Sequence, residues 1–287
     1  MTALLLRAPA KINLCLSVLG RRPDGYHDVE MLMQMVGLYD EVRVSLSGQG
    51  VSFSCDHPLL PTDESNIAVR AAAAALARSG KRTGIAIELK KAIPVSAGLG
   101  GGSSDAAAVL VACNVLLELG LDRQGLAGIG AGLGMDVPFF FSGPTAFACG
   151  RGGGLTPLPP PAPFWVLLVN PGFETATAWV YQNLNLGLTK KGDCNTIAGL
   201  RIGKIAASLH NDLETVTAAA HPAIAEMREA LLEAGALGAR MSGSGPTVFG
   251  IFETESTCRT AADRLAGRGW LLFPAPSLTG SPFAGHL

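Results

Sequence analysis

Residues Pro94 to Leu110 read PVSAGLGGGSSDAAAVL. Four glycines fall in the five positions Gly98 to Gly102, and two serines, an aspartate and a run of alanines follow. A strand-to-helix turn needs one glycine, and each further one costs backbone entropy on ordering. So dense a run is useful where the backbone must come close to another group. The first-turn N–H groups of the following helix lack internal partners and sit at the positive end of its dipole, which makes an anion site. Ser103 or Ser104 can cap this helix, predicted from about Ser104 to Leu119, and either hydroxyl can reach a phosphate or its Mg²⁺. Ala106, Ala107 and Ala108 let the helix pack tightly. A polyphosphate suits this loop best.

Two better-known phosphate loops do not fit. In a dinucleotide fingerprint GxGxxG/A, Gly98 and Gly100 take the first two positions, but the third falls on Ser103. The acidic residue some twenty positions on, Glu118, lies near the end of the same predicted helix rather than after a second strand. No GxxxxGK[ST] string occurs anywhere in the chain.

The rest of the chain sets bounds. Its 287 residues allow one large domain or two modest ones. Hydrophobic residues make up 48% and charged residues 16%, enough apolar surface for a core. A net charge of −1 gives no basic field for nucleic acid or an anionic membrane, so neither is expected as a partner. The start, MTALLLRAPAKINL, lacks a signal-peptide core, and no apolar run approaches the roughly 20 residues needed to span a bilayer. The six cysteines are scattered without metal-ligand spacing, which predicts reduced thiols in a cytoplasmic protein. No metal-ligating residues are assigned. Net charge near zero fits a monomer or a homodimer.

Hydrophobic periodicity predicts a strand after Asn13 with Leu14, Leu16 and Val18 on one side. After a Pro-Asp-Gly turn comes a second strand, with Met31, Met33 and Met35 sharing a core face. A helix is expected over Asn66 to Ser79, a strand in TGIAIELK and a helix from Leu121 to Leu133. MDVPFFFSGPTAFACG reads as a turn followed by strand. The proline cluster near Leu158 to Pro163 ends this texture, and a buried strand, Trp165 to Val169, follows it. We therefore expect two domains, residues 1–158 and 159–287. Strands and helices mix without strict alternation, which favours α+β over a doubly wound sheet.

Three segments, APAKINLCL (Ala8 to Leu16), PVSAGLGGGSSDAA (Pro94 to Ala107) and MSGSGPTVFG (Met241 to Gly250), resemble those of GHMP-type small-molecule kinases, in the same order. The likeness runs through nearly the whole chain and thins in Leu184 to Ser208 and in the last few residues. It implies a ribosomal-S5-like N-terminal domain that binds nucleotide, a ferredoxin-like C-terminal domain and an active site between them. AKINL, RPDGYHDVE, GLGGGSSDAA and GMDVPFF together resemble the members that use ATP, with Mg²⁺, to phosphorylate the 2-hydroxyl of a cytidylyl methylerythritol substrate for non-mevalonate isoprenoid biosynthesis. Other members act on homoserine, mevalonate or sugars.

The resemblance also implies residue roles, each with a plainer alternative. Asp136 would be the catalytic base, or else a turn aspartate before Val137-Pro138. Lys11 would stand beside it and offset charge on the transferring phosphoryl group, or else be a solvated strand-end lysine. Asn13, on the same strand face as Lys11, would bind substrate or serve as a turn amide. Tyr26 and His27 would stack on and hydrogen-bond cytosine, with Tyr181 closing the sandwich and Thr177 nearby. Pro94, Gly98, Leu99, Gly100, Gly101, Gly102, Ser103 and Ser104 would hold the triphosphate. Asn66 and Lys91 would touch adenine, the alternatives being a helix cap and a solvated lysine. Ser242, Gly243, Ser244 and Gly245 would supply backbone donors to a phosphate, or else form a turn. Gly154 stands where such kinases often carry glutamate, and no second carboxylate is placed for Mg²⁺.

Overall fold

The computed structural model describes residues 2–58, 60–189, 194 and 201–287. Two long antiparallel strands organise it, β1 (Ala3–Arg21) and β2 (His27–Ser47). The turn between them carries Gly25 at φ 84°, a left-handed conformation that glycine adopts without strain. Next come β3 (Gly50–Cys55), α1 (Ile67–Ser79) and β4 (Gly84–Lys90). Strands β3 and β4 are parallel, and β4 pairs with Glu41–Ser47 of β2. The chain continues through α2 (Gly101–Leu116), α3 (Arg123–Leu133) and the short α4 (Phe139–Ser142). Strand β5 (Thr145–Gly150) then pairs with the other half of β2, and β6 (Gly154–Pro157) pairs with β5.

The second half begins with β7 (Trp165–Asn170) and α5 (Thr177–Gln182). It goes on through α6 (Ile202–Ala207), β8 (His210–Asn211), α7 (Glu214–Ala220) and α8 (Ala223–Glu233). Strands β9 (Gly238–Met241) and β10 (Val248–Phe252), helix α9 (Glu255–Leu265) and strand β11 (Leu271–Pro276) complete it. Strands β11, β7, β10 and β9 form one antiparallel sheet in that order, with α8 and α9 packed on it. That order makes a split β-α-β arrangement of the ferredoxin-like kind. The architecture is α+β. Strand β8 crosses back to lie parallel to Cys15 and Leu16, so the second half of the chain closes an edge of the first sheet.

Strand β1 is buried almost without a break from Ala8 to Val18 because both of its faces are covered. Ala10, Ile12 and Leu14 pack with Val166, Leu168 and Phe249 of the second sheet. Leu16 and Val18 instead pack with Met31, Met33, Met35 and the alanines of α2. The expected single face of Leu14, Leu16 and Val18 is thus split. A register shift between Asn13 and Cys15 changes which side faces which layer.

Helix α2 is buried on nearly every side, with Ala106, Ala107 and Ala108 at 0% exposure. It starts at Gly101, three residues before the predicted Ser104, and ends at Leu116 rather than Leu119. Gly100, left-handed at φ 69°, is its N-cap, and no side chain caps it. A left-handed glycine turns the chain into the helix directly, so Ser103 and Ser104 fall inside the first turn. Phe139–Ser142, read as the approach to a strand, is helical, with Phe139, Phe140 and Phe141 buried together.

The cysteine expectation fails at one pair. Cys15 and Cys194 form a disulfide, both fully buried. They are 179 residues apart in sequence, and only the packing of Cys194 against β1 brings them together. Cys55, Cys113, Cys149 and Cys258 are free.

The glycine loop is fixed by what lies under it. At Gly98 (φ +75°) a Cβ would run into the Ser242 carbonyl, and at Gly100 it would come within 2.9 Å of Lys11 Cγ. At Gly102 the nearest atom is 3.7 Å away, an ordinary contact. Gly98→Ala should therefore cost roughly 1–3 kcal/mol of stability, from left-handed strain and overlap. Gly102→Ala should stay within about 1 kcal/mol of the parent. Urea melts of the two variants test this, and equal losses would remove the packing explanation.

Candidate active site

A cleft of about 1120 Å³ runs between the glycine loop, β1, the turn before α4, α5 and the Gly243–Ser244 turn. Its centre is the Lys11–Asp136 pair. Lys11 Nζ lies 3.5 Å from Asp136 Oδ2 and donates to Asn13 Oδ1 at 2.7 Å. The Lys11 side chain is 6% exposed and Asp136 31%, so the ammonium is held inside while the carboxylate opens on the cleft. Alternation along β1 puts Lys11 and Asn13 on one face, opposite the apolar face that meets the second sheet. Lys11 N–H donates to the Leu99 carbonyl at 2.9 Å, which ties this strand to the loop.

The turn Ser242–Gly245 closes the floor. Ser242 Oγ donates to the Gly98 carbonyl at 3.0 Å and accepts from Asn13 N–H at 3.3 Å. Asn211 donates to the Met241 and Gly243 carbonyls, both at 2.8 Å, and Thr177 and Ser244 share a 2.8 Å hydroxyl bond. Gly243 and Ser244 line the cleft, whereas Ser242 and Gly245 support it from behind. Of the glycine loop, Pro94, Gly98, Gly100–Gly102 and Ser103 face the cleft; Leu99 and Ser104 do not. The Ser104 hydroxyl is fully buried with no hydrogen-bond partner among the described residues.

Asn66 and Lys91 line the cleft, but their polar ends are occupied. Asn66 caps α1, accepting from Ala68 N–H at 2.9 Å and donating to the Pro61 carbonyl at 2.8 Å. Lys91 Nζ lies under Gly101 and is ion-paired with Asp40 and, at 2.9 Å, with Asp105. Burial lowers the proton affinity of Lys91, yet Asp105 and Asp40 hold its pKa above the usual lysine value. Burial pushes the Asp105 carboxyl up to about 8, against the pull of Lys91.

At the far end the rings pair differently from the expected sandwich of Tyr26 and Tyr181. His27 stacks on Tyr181 with centroids 5.1 Å apart, and Arg151 covers Tyr26 at 3.7 Å from the ring centre. Burial, then the charge of Arg21, holds His27 below its usual pKa and so favours the neutral ring. Burial and then the Asp136 charge raise the Tyr181 hydroxyl, so Tyr181 stands within electrostatic reach of Asp136.

The model for GHMP kinases N terminal domain matches residues 66–144, and that for GHMP kinases C terminal matches residues 196–269. Together they cover more than half of the chain. This chain is a GHMP kinase. Among curated relatives, 4-diphosphocytidyl-2-C-methyl-D-erythritol kinase of Syntrophotalea carbinolica is 50% identical over 93% of this chain and 96% of its own length. The enzyme of the same name from Geobacter metallireducens is 50% identical over 92% and 95%. A crystal structure of 4-(cytidine 5'-diphospho)-2C-methyl-D-erythritol kinase has TM-score 0.79 and 34% identity, covering 96% of this chain and 99% of that one. A homoserine kinase from Cytophaga hutchinsonii, 23% identical with TM-score 0.76 over 98% and 96%, shares the fold.

In this GHMP kinase, sequence reasoning passed over Asp40, Asp105 and Arg151. Asp105 stands inside the quoted GSSDAA, and its place next to a helix start was a visible signal. Nothing in the sequence joins Asp40 to Lys91, because β2 and the end of β4 meet only in the sheet.

Asp105 yields a pH test. Unfolded, it titrates near 4. Folded, it holds its proton up to about 8. The stability this proton contributes is full below about pH 4 and is lost as pH rises toward 8. Asp105→Asn has no such proton. Stability of the parent relative to this variant should therefore fall across that window, by at most about 1.4 kcal/mol per pH unit. Urea melts at several pH values check it; a constant difference would mean that Asp105 is ionised throughout.

Proposed function

We propose that this GHMP kinase transfers the γ-phosphoryl group of ATP to the 2-hydroxyl of 4-diphosphocytidyl-2-C-methyl-D-erythritol, in non-mevalonate isoprenoid precursor biosynthesis. The observation that carries the reading is the Lys11–Asp136 pair, 3.5 Å apart, set in one cleft between a glycine loop and an aromatic cluster. The 50% identity to curated kinases of that name supports the substrate.

Asp136 accepts the proton of the 2-hydroxyl as its oxygen forms a bond to the γ-phosphorus and the bond to ADP breaks. Lys11, 3.5 Å from Asp136, orients that carboxylate and offsets charge on the phosphoryl group. The cleft-facing part of the glycine loop and the first turn of α2 offer backbone N–H donors to the triphosphate. The fit is supported by glycines that keep side chains out of this wall. Among the described residues, no three His, Cys, Asp or Glu side chains stand together to hold a metal ion. Mg²⁺ carried on the nucleotide by phosphate oxygens and water would neutralise phosphate charge there. Tyr26, His27 and Tyr181 take the cytosine, which requires the stacked rings to part. Dependence on ATP suits a cytoplasmic enzyme, and no described helix is long and apolar enough to cross a membrane.

Asp136→Asn should lower kcat by roughly 10²–10⁴-fold with ATP still bound, measured by ADP release and nucleotide titration; near-parental turnover would remove the base assignment. Tyr26→Ala should raise KM for the cytidylyl substrate by roughly 5–150-fold, the value of one lost base stack, and leave KM for ATP unchanged. An equal rise in both constants would sink the cytosine role. The decisive assay compares ADP release across the cytidylyl substrate, homoserine, mevalonate and galactose.

A further inference from the structure

The proposed substrate carries a diphosphate between its base and its reacting alcohol, and this inference rests on that reading. Two negative charges must lie along the cleft between the ring cluster and Asp136. Lys11 is engaged by Asp136 and Asn13, and Lys91 by Asp40 and Asp105. Two further cations line the same cleft, Arg21 and Arg151. Neither has a carboxylate oxygen within ion-pairing distance among the described residues.

Arg151 is the better placed of the two. It sits in the turn between β5 and β6, with its Cζ 3.7 Å from the centre of the Tyr26 ring. That stacking limits the freedom of a long side chain, and a stacked guanidinium keeps its in-plane N–H edge for hydrogen bonds. One acid within its electrostatic reach is Asp24. Desolvation pushes that carboxyl up, but the Tyr26 N–H bond, Arg22 and the charge of Arg151 together hold it below its ordinary value. Asp24 is itself hydrogen-bonded by Arg22 and by the Tyr26 backbone, so its own demand for charge is met locally. Arg151 lines the cleft, and among the described residues no hydrogen bond or ion pair occupies its guanidinium.

We infer that Arg151 is a specificity-determining residue that grips the diphosphate of a nucleoside-diphosphate-linked substrate while backing the Tyr26 ring. A guanidinium matches phosphate oxygens in pairs, and one charge-assisted contact of this kind is worth a clear step in affinity. It would select an acceptor with a charged linker over a plain alcohol or sugar.

The test is titration of CDP and of cytidine, with a non-hydrolysable ATP analogue saturating the nucleotide site. Arg151→Gln should weaken CDP by roughly 10–100-fold and cytidine by less than about 3-fold. Arg151→Lys should recover part of the loss, keeping charge without the fork. In steady state KM for the cytidylyl substrate should rise, with kcat and KM for ATP held. Unchanged CDP affinity in Arg151→Gln overturns the inference. So does an equal loss for CDP and cytidine, which would mean that Arg151 acts only through Tyr26. If the parent enzyme binds neither ligand, the cytidylyl reading itself fails, a result seen before any variant is made.

Discussion

The main-chain bond from Lys11 N–H to the Leu99 carbonyl, 2.9 Å long, joins the first strand to the glycine loop. Under the same loop the Ser242 hydroxyl bonds the Gly98 carbonyl, and Thr247 N–H reaches Ala97. Three segments from widely separated parts of the chain are thus pinned at one point. The first strand, the glycine loop and the floor of the cleft take their positions from it. Strand β1 serves both sides of this junction, with apolar residues facing the second sheet and Lys11 and Asn13 facing the cleft.

The charges around the cleft follow from burial. Lys91 is enclosed, and an ammonium taken out of water needs partners, which Asp40 and Asp105 supply. Burial, and then the charge of Asp40, raises the Asp105 carboxyl to about 8 against the pull of Lys91. Lys11 has one carboxylate partner and one amide, and the carboxylate stays open to the cleft. The loop therefore draws its positive potential from backbone N–H groups and Lys11, while Lys91 braces the structure beneath it.

Much of this was legible in the sequence because local rules apply. The Met31, Met33, Met35 stripe lies in the core, and the Trp165 strand is buried as its composition indicates. The GHMP family was recognisable from three short motifs, because the loop chemistry forces residue type at fixed spacing. What stayed hidden depends on contacts between distant segments. Leu14 left the face of Leu16 because of a register shift that no alternation pattern records. Cys15 found Cys194 across 179 residues. Ser104 looked like a cap, yet left-handed Gly100 made a side-chain cap unnecessary. The ring cluster was foreseen as residues but not as pairs: His27 stacks on Tyr181, while Arg151, from the turn between β5 and β6, covers Tyr26.

The glycines under the loop have a consequence for how freely this chain can vary. Gly98 abuts Ser242, Gly100 abuts Lys11, and Gly243 lies within 3.2 Å of the Gly98 carbonyl where a Cβ would project. At each, an added Cβ would enter space already filled by another segment of the chain. A change at one position can be accommodated only by moving a partner that is itself confined, so these sites must drift together or stay as they are. The segment with the least side chain is thereby the one with the least latitude, and substitution has more room at Gly102, where a methyl group meets only an ordinary contact.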